Sequence, residues 1–440
     1  MTAPGLDSTT AVVLADVALI IGAAHLFGRL ARRLRQPPVV GEIVAGLALG
    51  PSLLGLLPGN PTDVLFPAYV RPFLHVLAQF GLVLFMFGIG YRLEASHVRG
   101  SGRQITLVSL SSVALPFALG AGLAYLLYPW YDHGFLHSTG PLGPAVFLGA
   151  AMSITAFPVL ARIINDRGMH RERLGGIALT CASLQDALAW CLLAAAVAVV
   201  TADRPQSLLV LAAEAAAFVL VLRYAVRPLL ERLLSSTDRW SGGAAAAYPV
   251  LMIGLLLSAW CTSVIGLHAV LGAFAFGAVV PRGRLEAIAP QVPERIDQTG
   301  SLLLPVFFTL TGLSVDFSGL GVRGAVALAA IIVVACAGKF AGATLSARLT
   351  GFDRGDALRL GVLLNARGLT ELIILNVGLS LHVIDRRMFT AMVVMALVTT
   401  VMTGPLLDAV QKRHPAAVPL PPKAPPVPTG ASASATAAHS

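Results

Sequence analysis

The sequence predicts an all-α, polytopic membrane protein with about thirteen transmembrane helices. Three observations predict it. Of 440 residues, 56% are hydrophobic, 12% are charged, and mean hydropathy is +0.79. A soluble globule cannot hide that much apolar surface, and a disordered chain needs the opposite balance. Apolar stretches of about twenty residues, the length of a membrane span, recur along the whole chain. Basic residues also alternate from one connection to the next.

The thirteen segments fall near 10–30, 38–57, 72–91, 104–128, 142–164, 174–200, 207–230, 244–264, 266–281, 297–316, 323–346, 356–380 and 388–410. Connections after the odd-numbered segments, with the tail, hold 24 Lys and Arg. The opposite connections hold five, Arg71, Arg204, Arg323, Arg386 and Arg387. Positive-inside bias then places the N-terminus outside and the C-terminus in the cytoplasm, in the plasma membrane. Residues 1–9 form an extracellular N-terminus, 10–410 the transmembrane domain, and 411–440 a disordered Pro/Ala/Ser-rich tail. The net charge of +9 is spread over short connections, with no compact basic domain for nucleic acid. Cys181, Cys191, Cys261 and Cys336 form no CxxC pair and read as buried thiols. No cofactor is expected.

Polar residues inside the segments carry the functional reading, because a charge at mid-membrane costs about 2.5–3.5 kcal/mol on insertion scales. Segment 2 holds Glu42 near its cytoplasmic end, with Gly46 and Gly50 suited to a helix contact. Segment 5 contains Pro158, with Ser153 and Thr155 just upstream. Proline removes a backbone hydrogen bond, so this span is expected to be interrupted where it lines a cavity. Segment 6 places Gln185 and Asp186 near its middle with no basic neighbour within one turn. Charge on a carboxylate is disfavoured away from water, so Asp186 can exchange a proton, and its oxygens suit hard cations such as Na+. Glu214 and His268 read as structural. Segment 11 carries Lys339 between Gly338 and Gly342, and Lys339 is the expected counter-charge for Asp186. Segment 12 carries Asn365, Arg367, Gly368, Thr370 and Glu371. Asn-Ala-Arg-Gly suggests a second interruption, and Arg367 and Glu371 are spaced to pair on one face.

Segments 5 and 12 are thus the two interrupted spans, seven apart. Segments 1–6 and 8–13 then read as two six-helix repeats of opposite orientation, a pattern that points to a substrate site where the interrupted helices cross. No HExxH motif or nucleophile–base pair at membrane depth supports an enzyme.

GEIVAGLALGPSLLG, MSITAFPVLARI, LQDALAW, GKFAG and LNARGLTELIILNVGL, in that order, resemble the monovalent cation/proton antiporter-2 family. That family includes Kef-type potassium efflux proteins and plant cation/H+ exchangers. The resemblance covers about residues 10–410. It implies two inverted repeats with crossed broken helices, and a homodimer. Segments 1–3 and 8–10 would form the dimer part, segments 4–6 and 11–13 the core, and segment 7 a linker. It matches Asp186 to the essential carboxylate, Gln185 to its variable predecessor and Lys339 to the core cation. Thr155 and Pro158 match one crossing helix, and Asn365, Arg367 and Glu371 the other. The expected function is exchange of protons for Na+ or K+ at Asp186, with Gln185, Ser153 and Thr155 completing the cation shell. The runner-up is a channel-like K+ efflux path or a sodium-coupled organic-solute carrier. A separate soluble regulatory subunit is left open.

Overall fold

The computed structural model describes residues 6–92, 102–130, 140–169, 172–201, 205–236, 243–318 and 321–414. Everything regular in it is helical. α1 (Leu6–Arg33) ends on Arg35, whose φ is 57°. Arg35 N donates to Arg32 O and Gln36 N to Ala31 O, the double bond that closes a helix over a left-handed residue. Glycine normally fills that position; an L-residue there costs about 1–2 kcal/mol. Pro38, at the first position where a proline costs nothing, starts α2 (Pro38–Leu49). A short α3 (Pro61–Leu65) leads to α4 (Arg71–Arg92) and α5 (Gly102–Leu127).

Segment 5 folds as two helices, α6 (Leu142–Ser153) and α7 (Phe157–Asp166). α8 (Arg173–Thr201) is long and continuous. α9 (Pro205–Val221) and α10 (Arg227–Ser236) flank a π-helical turn. α11 (Gly243–Ile265) precedes α12 (Ala269–Val279), which His268 caps through Nδ1. A short α13 (Arg282–Ile288) leads to α14 (Val292–Leu313) and α15 (Gly321–Leu349). Asp353 caps α16 (Arg354–Leu364), α17 (Leu369–Ser380) follows, and Asp385 caps α18 (Arg386–Arg413).

Each expected segment coincides with a helix or a helix pair. Among the described residues, eight helices are long and apolar enough to cross a membrane, and α16 with α17 make a ninth span bent by 41°. α18 continues to Arg413, beyond the expected start of the tail; residues 1–5 and 415–440 lie outside the described residues. Of the cysteines, Cys181 is buried but Cys191 is exposed, because its helix turns that face outward.

Packing falls into two groups. α1, α2, α4, α11, α12 and α14 pack together, and so do α5 to α8 with α15 to α18. Close backbone approach holds each group. A Cβ on Gly46 would lie 2.1 Å from Thr309 O, so α2 and α14 touch through their main chains. A Cβ on Gly342 would lie 2.7 Å from Ser111 O, which seats α15 against α5 and carries Lys339 inward.

Candidate functional site: the crossing of two broken helices

Two breaks meet inside the second group. Residues 154–156 separate α6 from α7, and residues 365–368 separate α16 from α17. Ala156 N donates to Ala366 O at 3.1 Å, and Thr155 Oγ1 to Leu364 O at 2.5 Å. The expected interruptions are both present. Pro158, however, is not the break: it lies in the first turn of α7. A proline is tolerated there because that N–H has no helical partner anyway.

A helix that ends inside a membrane leaves its last four carbonyls without partners. At the end of α6, side chains supply all four. Ser153 Oγ donates to Ala150 O at 2.8 Å. Arg367 spans two more, with Nη1 to Ala151 O at 3.1 Å and Nη2 to Met152 O at 2.7 Å. Lys339 Nζ donates to Ser153 O at 2.5 Å. Two cations at the carbonyl end also oppose the helix dipole. Lys339 gives its remaining protons to Thr155 Oγ1 (2.9 Å) and Gln185 Oε1 (3.0 Å), so the ammonium is saturated. Thr400 clasps the backbone of Arg367, accepting from its N at 3.1 Å and donating to its O at 2.7 Å. Glu371 Oε2 lies 3.5 Å from Arg367 Nη1, the pairing expected from their spacing.

Asp186 occupies the opposite polarity. Its Oδ2 accepts from Phe157 N, the first residue of α7, at 3.2 Å. Its Oδ1 accepts from Thr370 Oγ1, in the first turn of α17, at 3.0 Å. The carboxylate therefore faces the positive ends of two half-helices. Asp186 is 2% exposed, and Gln185, Thr155, Ser153, Thr370, Asn365 and Lys339 are fully buried.

Two contacts bear on the expected roles. Lys339 forms no direct ion pair with Asp186; its donors go to Ser153, Thr155 and Gln185. It sits at the carbonyl end of α6, while Asp186 sits at the amide end of α7. The hydroxyls of Ser153 and Thr155 donate elsewhere, Ser153 to Ala150 O within α6 and Thr155 to Leu364 O across the crossing. Thr370 is the hydroxyl that reaches the carboxylate. The sequence reading placed Thr370 only at the crossing, and nothing in the local sequence signals its contact across 184 positions. Thr400, and the side chains that fill the α6 carbonyls, carry no local signal for the same reason.

A cavity of about 230 Å³ runs between the two helix groups from the arginine-rich end. Glu42 and Phe85 line one side, Val159, Arg162 and Leu369 the other. Leu369 and Val159 in the lining belong to α17 and α7, the two half-helices whose amino ends face Asp186. Glu42, read from sequence as interfacial, faces this path.

The profile of the family described as "Sodium/hydrogen exchanger, transmembrane" matches residues 18–412. The chain belongs to this family. It is a multi-pass membrane protein, a secondary antiporter of monovalent cations and protons, and not an enzyme. The exchanger is 39% identical to the Na(+)/H(+) antiporter NhaS4 of Synechocystis, over 91% of this chain and 97% of that one. It is 34% identical to Cation/H(+) antiporter 20 of Arabidopsis thaliana and 31% to K(+)/H(+) antiporter 1 of Saccharomyces cerevisiae, spanning about half of each. The exchanger's fold is similar to that of the sodium proton antiporter MjNhaP1 from Methanocaldococcus jannaschii at pH 8, with a TM-score of 0.64 at 14% identity over 92% of this chain and 97% of that one.

Proposed function

We propose that the protein exchanges protons for Na+ or K+ across the plasma membrane by alternating access, with Asp186 as the shared site. The observation that carries this reading is the position of Asp186. It is the one carboxylate at the crossing that bonds to the amino ends of two half-helices, through Phe157 N and Thr370 Oγ1. A proton and a cation compete for the same oxygens, and that competition couples the fluxes. Thr370 Oγ1 offers the cation an oxygen beside Asp186.

Lys339 has another task in this reading. Its three acceptors match the three protons of an ammonium, and in this reading Lys339 in that form pins the end of α6. Asp186 is then the only proton carrier, and exchange is one-for-one and electroneutral. Gln185 cannot titrate; it orients Lys339.

The thirteen helical segments would span the membrane as two inverted six-helix repeats, with the N-terminus outside and the C-terminus in the cytoplasm. The arginine-rich end, where the cavity opens, would face the cytoplasm. The group built on α1, α2, α4, α12 and α14 would be static and form the homodimer contact, and the group holding Asp186 would slide against it.

Cation-driven proton flux into proteoliposomes containing a trapped pH dye tests the reading. Flux with Na+ or K+ that vanishes in Asp186→Asn is the expected result, and it names the ion. Flux indifferent to Asp186 would overturn the site.

A further inference from the structure

A second cavity, of about 440 Å³, lies at the arginine-rich end beside the Glu42 cavity, with which it shares Pro37 and Arg162. Four arginines line it, Arg32, Arg35, Arg162 and Arg167, with Asp408 the one carboxylate among the described lining residues; Arg162 has a partner of its own and lines the Glu42 cavity as well. Asp408 is already engaged: Arg167 donates to it through Nη1 and, at 3.3 Å, through Nη2. Arg167 also donates to Gly404 O at 3.1 Å. Arg32 and Arg35 thus leave the lining positive, the wrong lining for a path taken by Na+ or K+. The Glu42 cavity serves that path, and the basic cavity fits an anion.

Arg35 supplies an independent observation. It stands in the left-handed conformation, φ 57°, that closes α1. The chain holds 43 glycines and uses glycine at positive φ at Gly59, Gly168, Gly266 and Gly351, among others. Among the described residues only Arg35, Asn60 and His382 break that habit. Asparagine visits this region readily, whereas arginine gains nothing there from its backbone. The strained position puts a guanidinium into the cavity, and strain of this kind points to a function for the side chain.

The cavity also joins the two helix groups. Arg32 comes from the last turn of α1 and Arg35 from just after it, Arg162 from α7 and Arg167 from just after it, and Asp408 and Thr400 from α18. Thr400 is the residue whose hydroxyl clasps the backbone of Arg367 at the crossing.

We propose that this cavity binds a phosphomonoester dianion, which ties the end of α1 to α7 and α18 and slows exchange by holding the two groups in the present arrangement. The bidentate geometry of guanidinium toward phosphate oxygens suits several arginines converging on one dianion. The same chemistry comes from a phosphatidate headgroup at the membrane surface or from a soluble phosphomonoester. The effect on flux rests on the alternating-access reading above; binding does not.

The test uses the full chain in detergent. Its thermal unfolding midpoint is followed while inorganic phosphate, glycerol phosphate or short-chain phosphatidate is added, against chloride at matched ionic strength. Phosphate or glycerol phosphate should raise the midpoint saturably. Arg35→Gly should fold at least as well as wild type, since it relieves the strained position, and should weaken phosphate binding about tenfold. Arg32→Gln should weaken it as well. Stabilisation by phosphatidate alone assigns the site to lipid, and stabilisation by the soluble probes assigns it to a soluble ligand; either supports the proposal. No shift above chloride with any probe, or the same affinity in Arg35→Gly and wild type, overturns it. In proteoliposomes phosphate should slow wild-type flux and leave Arg35→Gly unaffected. Flux absent from wild type would count against the exchange reading, while the binding result would stand by itself.

Discussion

Thr370 gives Asp186 a hydroxyl that can turn. Toward a carboxylate it donates; toward a bound cation it presents a lone pair beside the same carboxylate oxygens. A hydrogen bond to a charged group is worth about 1.5–3 kcal/mol, so Thr370→Val should raise the cation KM by roughly tenfold or more. Thr370→Ser keeps the oxygen and should restore most of the affinity. Flux measured against cation concentration separates the two, and equal KM in Val and Ser variants would remove Thr370 from the site. At the mouth, Glu42 is the acidic side chain lining the cavity beside Arg162. Its role there is attraction at a distance, which salt screens. Glu42→Gln should therefore raise the cation KM at low ionic strength and have less effect as inert salt is added.

At the scale of the helix, the breaks follow from where carbonyls find donors. Four prolines, Pro116, Pro249, Pro305 and Pro405, lie inside continuous helices, so proline alone does not break a span here. What distinguishes α6 is that Ser153, Arg367 and Lys339 stand ready to receive its carbonyl end. The existence of both breaks was legible in the sequence, from Pro158 near Ser153 and Thr155 and from Asn365 to Gly368. The partners were not, because Lys339 meets Ser153 across 186 positions, and a pattern of local spacing carries no information about that contact. Asp186 was legible because a carboxylate in an apolar run with no basic residue within a turn is costly to bury; its contacts to Phe157 and Thr370 were not. Arg367 spans two carbonyls with a rigid fork that lysine lacks. Arg367→Lys should leave Ala151 O or Met152 O without a partner and destabilise the protein by about 1–3 kcal/mol, read as a lower thermal midpoint in detergent. Outside the spans, between α14 and α15, Ser318 donates to Asp316 from both hydroxyl and N–H, and these bonds hold the Asp316 carboxyl below its ordinary range. A depressed folded value contributes stability above the unfolded pKa, and that stability is lost as pH falls through the folded value. Wild type should then exceed Asp316→Ala in thermal midpoint at neutral pH, with the difference shrinking below about pH 4.

Over the whole molecule, the two helix groups meet along the cavity that carries Glu42 on one side and Leu369 on the other. Within each group, backbones touch at Gly46 and Gly342, close packing that resists deformation. Movement is therefore expected between the groups rather than within them. If Asp186 reaches the two membrane faces by sliding of one group, then joining the groups stops exchange without touching the site. Val39 on α2 and Val159 on α7 both line the cavity from opposite groups. In a background with the four native cysteines replaced, Val39→Cys combined with Val159→Cys should be joined by a short disulfide-forming cross-linker. Joined protein should lose most of its flux and recover it on reduction, while each single variant keeps it. The same vesicles test the charge balance: with Lys339 permanently protonated, flux before cross-linking should not respond to an imposed membrane potential. Flux that rises steeply with potential would mean a second proton moves per cation, and Lys339 would then have to release one of the three bonds that pin α6. Full flux through the joined protein would mean that the half-helices themselves rearrange within a fixed frame.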